Sequence, residues 1–320
     1  MSRAFVTGAT GMVGSTLVRR LLDNDTDVVV LVLDADPQSE LYRSGTIAAT
    51  TVVNGALEDL ATLQRAIAVH EPDTVYHLGA QTVVGAARRD PLATLEANVR
   101  GTWNVLEASR RFPEVVHSVV VASSDKAYGT VDTLPYSEST PLAGDEPYEV
   151  SKAAADLIAQ MYAHTYDLPV AIARCGNIYG PGDLNWSRIV PGTIRSLLRG
   201  EQPVLRSDGT FVRDYLHVDD VVDAYLALGT ALGNRAIPFG EGWNFSDESP
   251  RTVREIYDAT CAAAGKPDTE PLVLDRAPGE IHDQWLAATK ARDRLGWKPR
   301  VDLADGLAST VEWYRAYLNR

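Results

Sequence analysis

The stretch Thr7-Gly8-Ala9-Thr10-Gly11-Met12-Val13-Gly14 constrains this chain most, because three glycines spaced three apart join an apolar run to a helical pattern. Residues 3–7 read as a strand and residues 12–24 as a helix. Gly8 permits the tight turn between them, Gly11 lets backbone approach a pyrophosphate, and Gly14 lets the helix pack closely. The helix start then offers free N–H groups and partial positive charge to phosphate oxygens. A strand before and a helix after are the context that makes such a loop a dinucleotide site. The expected cofactor contacts here are Gly8, Thr10, Gly11, Met12, Val13 and Gly14.

The same alternation continues. Residues 28–33 form a continuous apolar run, as a strand buried on both faces requires. Residues 51–53, 74–78, 118–122 and 170–174 read as further strands, with helices at 57–70, 91–112 and 148–166. The rhythm predicts an α/β fold, a Rossmann-type doubly wound parallel sheet with a smaller α/β C-terminal substrate domain. The expected division is 1–174 for the dinucleotide-binding domain, with returning elements around 212–246. The substrate region is then 175–211 and 247–320.

Asp34 lies twenty residues after Gly14, at the expected end of the second strand. A carboxylate there accepts hydrogen bonds from ribose hydroxyls and repels a 2′-phosphate. No arginine directly follows it, so the cofactor expected is NAD, not NADP.

Composition narrows the partners. A formal net charge of −13 argues against nucleic acid or an anionic membrane as ligand. The two cysteines, Cys175 and Cys261, form no CxxC pair, and the six histidines show no HxxxH spacing, so no metal site is expected. Unpaired thiols, no leader before the first strand and no apolar run of membrane-spanning length predict a cytoplasmic protein.

Tyr148 and Lys152 stand at i and i+4, on one face of a helix that follows the fifth strand. An ammonium beside a phenol is expected to lower the phenol's pKa, making Tyr148 a general base toward a hydroxyl. The fifth strand runs into Ser123-Ser124-Asp125-Lys126, and ligands sit at such strand ends. Ser124 is placed to assist at the reacting oxygen, and Asp125 and Lys126 to supply an acid–base pair.

Together the glycine loop, Asp34, Ser124 and the Tyr148/Lys152 pair resemble the extended short-chain dehydrogenases (the NAD-dependent epimerase/dehydratase family) that act on nucleotide sugars. The resemblance implies NAD, a nucleotide-diphosphate sugar substrate, and a homodimer formed through helices 91–112 and 148–166. It also implies cofactor contacts at Leu57, Leu78 and Ala80 and a substrate contact at Gln81. Asp125-Lys126 is similar to the Ser-Asp-Lys of CDP-glucose 4,6-dehydratases, as are His77-Leu78-Gly79-Ala80-Gln81 and Arg174-Cys175-Gly176-Asn177. Arg213-Asp214-Tyr215-Leu216-His217-Val218 instead resembles the dTDP-glucose dehydratases and epimerases, and Ala56 stands where many relatives carry an adenine-binding aspartate. Arg188, Arg213 and Arg276 are candidates for the diphosphate, and Asn177 for a nearby contact.

The reaction implied is a 4,6-dehydration. Tyr148 takes the C4 hydroxyl proton, Lys152 holds the phenolate, a neutral Lys126 takes the C5 proton, and a protonated Asp125 donates to the departing C6 hydroxyl. A purely electrostatic role for Lys126 is the alternative. The rival functions are a 4-epimerase, using Ser124, Tyr148 and Lys152 alike, and a non-catalytic NAD-binding sensor.

Overall fold

The computed structural model describes residues 2–276 and 279–319. Seven strands, β1 (Arg3–Thr7), β2 (Asp27–Val32), β3 (Thr51–Asn54), β4 (Thr74–His77), β5 (Ser118–Ala122), β6 (Val170–Cys175) and β7 (Gly242–Phe245), form one sheet. Its order is β7-β6-β5-β4-β1-β2-β3, with every neighbouring pair parallel. The chain therefore reverses direction across the sheet between β1 and β4, and a crevice opens there at the strands' carboxyl ends.

The valine-rich strands serve two cores at once because successive side chains alternate faces. Val28, Val30 and Val32 of β2 pack with Leu17, Val18 and Leu21 of α1 (Met12–Asp23) and with Val221 and Leu228 of α2 (Val218–Gly233). Val29 and Leu31 face the other way, into a core shared with Leu63 and Ile67 of the helix Leu60–His70, Leu106 of Gly101–Arg110 and Ala159 of Pro147–Tyr166. A third core joins Ile194, Ile256, Tyr257, Val311 and Tyr314 from the helices Ile189–Arg199, Val253–Ala263 and Leu303–Leu318.

Three elements depart from the sequence expectation. Strand β2 stops at Val32, so Leu33 is 70% exposed and Asp34 lies two residues past the strand. The helix expected from residue 57 begins at Leu60, because the Asp59 carboxylate caps it by accepting from the Thr62 N–H. The long helix expected over 91–112 is split: Pro91–Leu95, a wide π turn at Glu96–Arg100, then Gly101–Arg110. Among the described residues no helix is long and apolar enough to cross a membrane.

Candidate active site

A cleft of about 930 Å³ opens at the carboxyl ends of β1, β4, β5 and β6, and the C-terminal segments close its far side. Gly8, Thr10, Gly11, Met12, Val13 and Gly14 all line it. Gly8 has φ +71, and a β-carbon there would lie 2.6 Å from the Gly79 nitrogen. A β-carbon on Gly14 would lie 2.1 Å from the Gly8 carbonyl oxygen. The turn therefore folds back on the start of α1 at a distance only glycines allow. Gly11 caps α1 with no side-chain hydrogen bond, which leaves the first-turn N–H groups open to an anion. This cradle fits the pyrophosphate of a dinucleotide.

The other cofactor candidates divide. Leu78 is in the wall. Leu57 packs behind it, against Gly79 and Gly101. Asp34 is exposed just outside the lining, and Asp36, two residues on, reaches the cleft instead. Ala80 and Gln81 are also outside the lining, whereas Thr82 is in it. The reason is Asn98, on the π turn. Its side chain accepts from the Gln81 N–H (2.7 Å), donates to the Gln81 carbonyl (3.0 Å) and donates to Ser151 Oγ (2.9 Å). One amide thus pins the loop after β4 to the helix that carries Tyr148.

Ser124, Asp125, Lys126, Tyr148 and Lys152 all meet in this cleft. Ser124 Oγ donates to Asp125 Oδ1 at 2.8 Å and accepts from the Lys126 N–H at 3.2 Å, so the hydroxyl holds the turn Asp125–Tyr128 in place. Asp125 is buried, and burial raises its pKa against the opposing charge of Lys126. Lys152 Nζ donates to the Ala122 carbonyl at the end of β5, at 2.9 Å. Burial pulls the Lys152 pKa down to about 8, with the Asp156 carboxylate opposing.

One expectation is reversed. Tyr148 is not lowered by Lys152. Burial pushes the phenol up to about 12, Arg188 and the Ser124 hydroxyl pull it back, and Asp125 adds to the rise. The physical reason is that loss of water from around the phenol outweighs the Arg188 charge and the Ser124 hydrogen bond.

The substrate candidates also separate. Asn177, on a short strand (Asn177–Tyr179) paired with Tyr215–His217, faces the cleft. Arg188 lies in the wall with Nη1 on Asp183 at 3.1 Å and is 40% exposed. Arg213 reaches the wall, but its guanidinium is committed to backbone: Nη1 donates to the Val212 and His282 carbonyls (2.7 Å each) and Nη2 to Ile281. That makes it a buried strut rather than a free phosphate clamp. Arg276 is exposed on the wall, and Arg195 and Arg206 join it, two positions that no spacing in the sequence marks. Glu149 is a third such residue. It lies buried in the cleft wall, which the turn Asp125–Tyr128 also borders, although its neighbours in the sequence suggest a plain helix start.

Residues 4–238 match the NAD dependent epimerase/dehydratase family. The chain is 35% identical to the UDP-glucose 4-epimerase of Mycolicibacterium smegmatis over 98% of each chain. It is 31% identical to the CDP-glucose 4,6-dehydratase of Salmonella typhimurium, over 99% of this chain and 91% of that one. Its fold superposes on the UDP-glucose 4-epimerase of Thermotoga maritima with a TM-score of 0.90 and 29% identity, over 99% of both. Similarity across nearly the full length, the glycine cradle and the serine–tyrosine–lysine cluster in one cleft place this chain in the NAD dependent epimerase/dehydratase family.

Proposed function

We propose that this chain is a nucleotide-sugar 4,6-dehydratase that uses NAD. The observation that carries the reading is Asp125: a carboxyl buried in the cleft wall, raised in pKa, next to the Ser124 hydroxyl and near Tyr148. A 4-epimerase moves one proton at the C4 oxygen, and Ser124, Tyr148 and Lys152 suffice for that. Loss of the C6 hydroxyl needs a second acid, and a buried carboxyl whose pKa is raised by loss of water is suited to that role.

NAD, when held in the glycine cradle, would supply the acceptor for the C4 hydride and the donor that returns it to C6 after water is lost. Tyr148 removes the C4 hydroxyl proton, with the Ser124 hydroxyl turning from Asp125 to donate to the same oxygen. Lys152, whose Nζ is held by the Ala122 carbonyl, supplies positive charge to the cleft. The resulting ketone acidifies C5–H, Lys126 takes that proton, and Asp125 protonates the leaving hydroxyl. Arg188, Arg195, Arg206 and Arg276 supply the local positive charge that a diphosphate requires on a chain whose net charge is −13.

Substrate deuterated at C4 separates the reactions. Dehydration predicts the label at C6 with loss of water; label at C4 of an inverted sugar would establish epimerisation and overturn the reading. Asp125→Asn is expected to slow water loss by about 10²–10⁴-fold, measured by mass spectrometry of the product.

The partner proposed for the outer surface is a second copy of this chain. Leu92 (68% exposed), Leu157 (54%), Met161, Val150 and Trp103 lie on the helices Pro91–Leu95, Gly101–Arg110 and Pro147–Tyr166. An apolar face across neighbouring helices suits burial against its own symmetry mate. Sedimentation is expected to show a dimer, and Leu157→Glu with Met161→Glu a monomer; a wild-type monomer would refute the pairing.

A further inference from the structure

Residues 247–320 are expected to serve the substrate, yet their last helix, Leu303–Leu318, reaches across to the cofactor side. Two of its aromatic side chains meet the segment that follows β2. Trp313 Nε1 donates to Glu40 Oε2 at 3.1 Å, a contact across 273 residues of chain. The Tyr317 hydroxyl donates to Gln38 Oε1 at 3.2 Å, and the Arg43 guanidinium lies over the Tyr317 ring, 4.2 Å from its centre. The Trp313 and Tyr317 rings stack on each other, 5.0 Å apart and inclined by 23°. One turn of the helix thus holds Gln38, Glu40 and Arg43.

The same turn is anchored in the wall of the cleft. Tyr314 is fully buried and donates to the Asp183 carbonyl. Trp186 lies 5.6 Å from the Tyr314 ring and 6.0 Å from the Tyr317 ring. Asp183 and Trp186 both line the cleft. Glu40 stands where these parts converge: a β-carbon on Gly182 would lie 3.6 Å from Glu40 Cβ and 3.8 Å from the Cα of Met12, the first residue of α1.

The gripped segment carries Asp36 into the cleft wall. Asp36 Oδ1 accepts from the Gln38 N–H at 2.8 Å, and its carbonyl accepts from Ser39 Oγ at 2.9 Å, so what holds residues 38–40 also holds Asp36. Every residue from 33 to 38 is exposed and lies outside the sheet. Such a loop keeps one shape only through contacts made from elsewhere.

We infer that Trp313 and Tyr317 are positioning residues for NAD. They clamp the segment after β2 to the wall, so that the carboxylates of Asp34 and Asp36 stay at the ribose end of the cleft. NAD leaves when this clamp opens. The inference needs a dinucleotide in the glycine cradle but neither dehydration nor epimerisation, so it fails or stands apart from the choice between them.

The test is NAD binding to the full chain, by calorimetry for Kd and by displacement for the dissociation rate, with Tm followed on the same samples. Trp313→Phe keeps a ring and loses the N–H donor. Trp313→Phe with Tyr317→Leu removes both hydrogen bonds and the stack. The single variant is expected to bind NAD a few-fold more weakly and the double variant at least about tenfold more weakly, chiefly through faster release. Glu40→Gln keeps an acceptor for the indole N–H and should stay near wild type, whereas Glu40→Ala should match Trp313→Phe. A general loss of packing would not separate those two. Kd in the double variant within about twofold of wild type overturns the inference, and so does an equal loss in Glu40→Gln and Glu40→Ala. If the double variant fails to fold, Glu40→Ala with Gln38→Ala opens the same clamp from the less buried side. Unchanged NAD binding in that variant overturns the inference as well.

Discussion

Tyr148→Phe is expected to lower kcat by about three orders of magnitude while NAD affinity stays within a few-fold of wild type. The variant removes one oxygen from a buried side chain and nothing from the glycine cradle. In the proposed reaction the phenol takes the C4 proton, and positioned proton transfer accounts for about 10²–10⁴-fold. Turnover and calorimetric NAD binding, measured on the same preparation, check both halves. Wild-type kcat in the Tyr148→Phe variant would end every reaction scheme built on this cleft. The pH profile of kcat/KM carries the companion result. Lys152 sits at about 8 because burial disfavours its charge. The ammonium is therefore present below that pH and lost above it, so the alkaline limb should fall near pH 8. In Lys152→Met that limb should disappear along with most activity.

Asp156→Ala is expected to destabilise the fold by about 3–5 kcal/mol, the cost of leaving a buried charge unpaired. Asp156 is completely buried on the helix Pro147–Tyr166, and Arg174 on β6 grips it with two bonds, Nε to Oδ2 at 2.8 Å and Nη2 to Oδ1 at 2.9 Å. Arg174 Nη1 continues to the Tyr128 hydroxyl (2.8 Å), which donates to Asn244 Oδ1 on β7 (2.7 Å). One network thus ties the helix bearing Tyr148 and Lys152, the turn bearing Asp125 and Lys126, and two strands. At roughly 2–4 °C per kcal/mol, the Tm should drop by about 10 °C. Arg174→Met with Asp156→Leu removes both charges and should recover most of that loss. If the double variant melts no higher than Asp156→Ala, the pair is not the source of the loss. Activity should suffer in both, because both cut the link to Tyr128.

The local grammar of this protein is written along the chain. Three glycines at fixed spacing, valine runs of strand length and the Tyr148/Lys152 step of four needed only nearest-neighbour geometry to be legible. They placed the strands of the first 175 residues within one or two positions. Departures arose where a side chain took a backbone partner: Asp59 capped a helix three residues into its expected range, and Asn98 marks a π turn whose amide binds the loop after β4 and the helix Pro147–Tyr166, contacts 17 and 53 residues apart in sequence.

The site shows the same division. Ser124, Asp125, Lys126, Tyr148 and Lys152 were legible because each stands at a strand end or on a helix face set by its own neighbours. Glu149, Arg195, Arg206 and Gln284 were not, because only tertiary folding brings them to or behind the wall. The segment around Arg213 pointed to a phosphate clamp, and folding turned its guanidinium onto carbonyls of the 281–282 segment, 68 and 69 residues away. The sequence by itself determined which chemical groups this protein owns and which lie on one element. The tertiary structure decided their charge states and partners, because those depend on how much water each group loses and on what approaches it from distant parts of the chain.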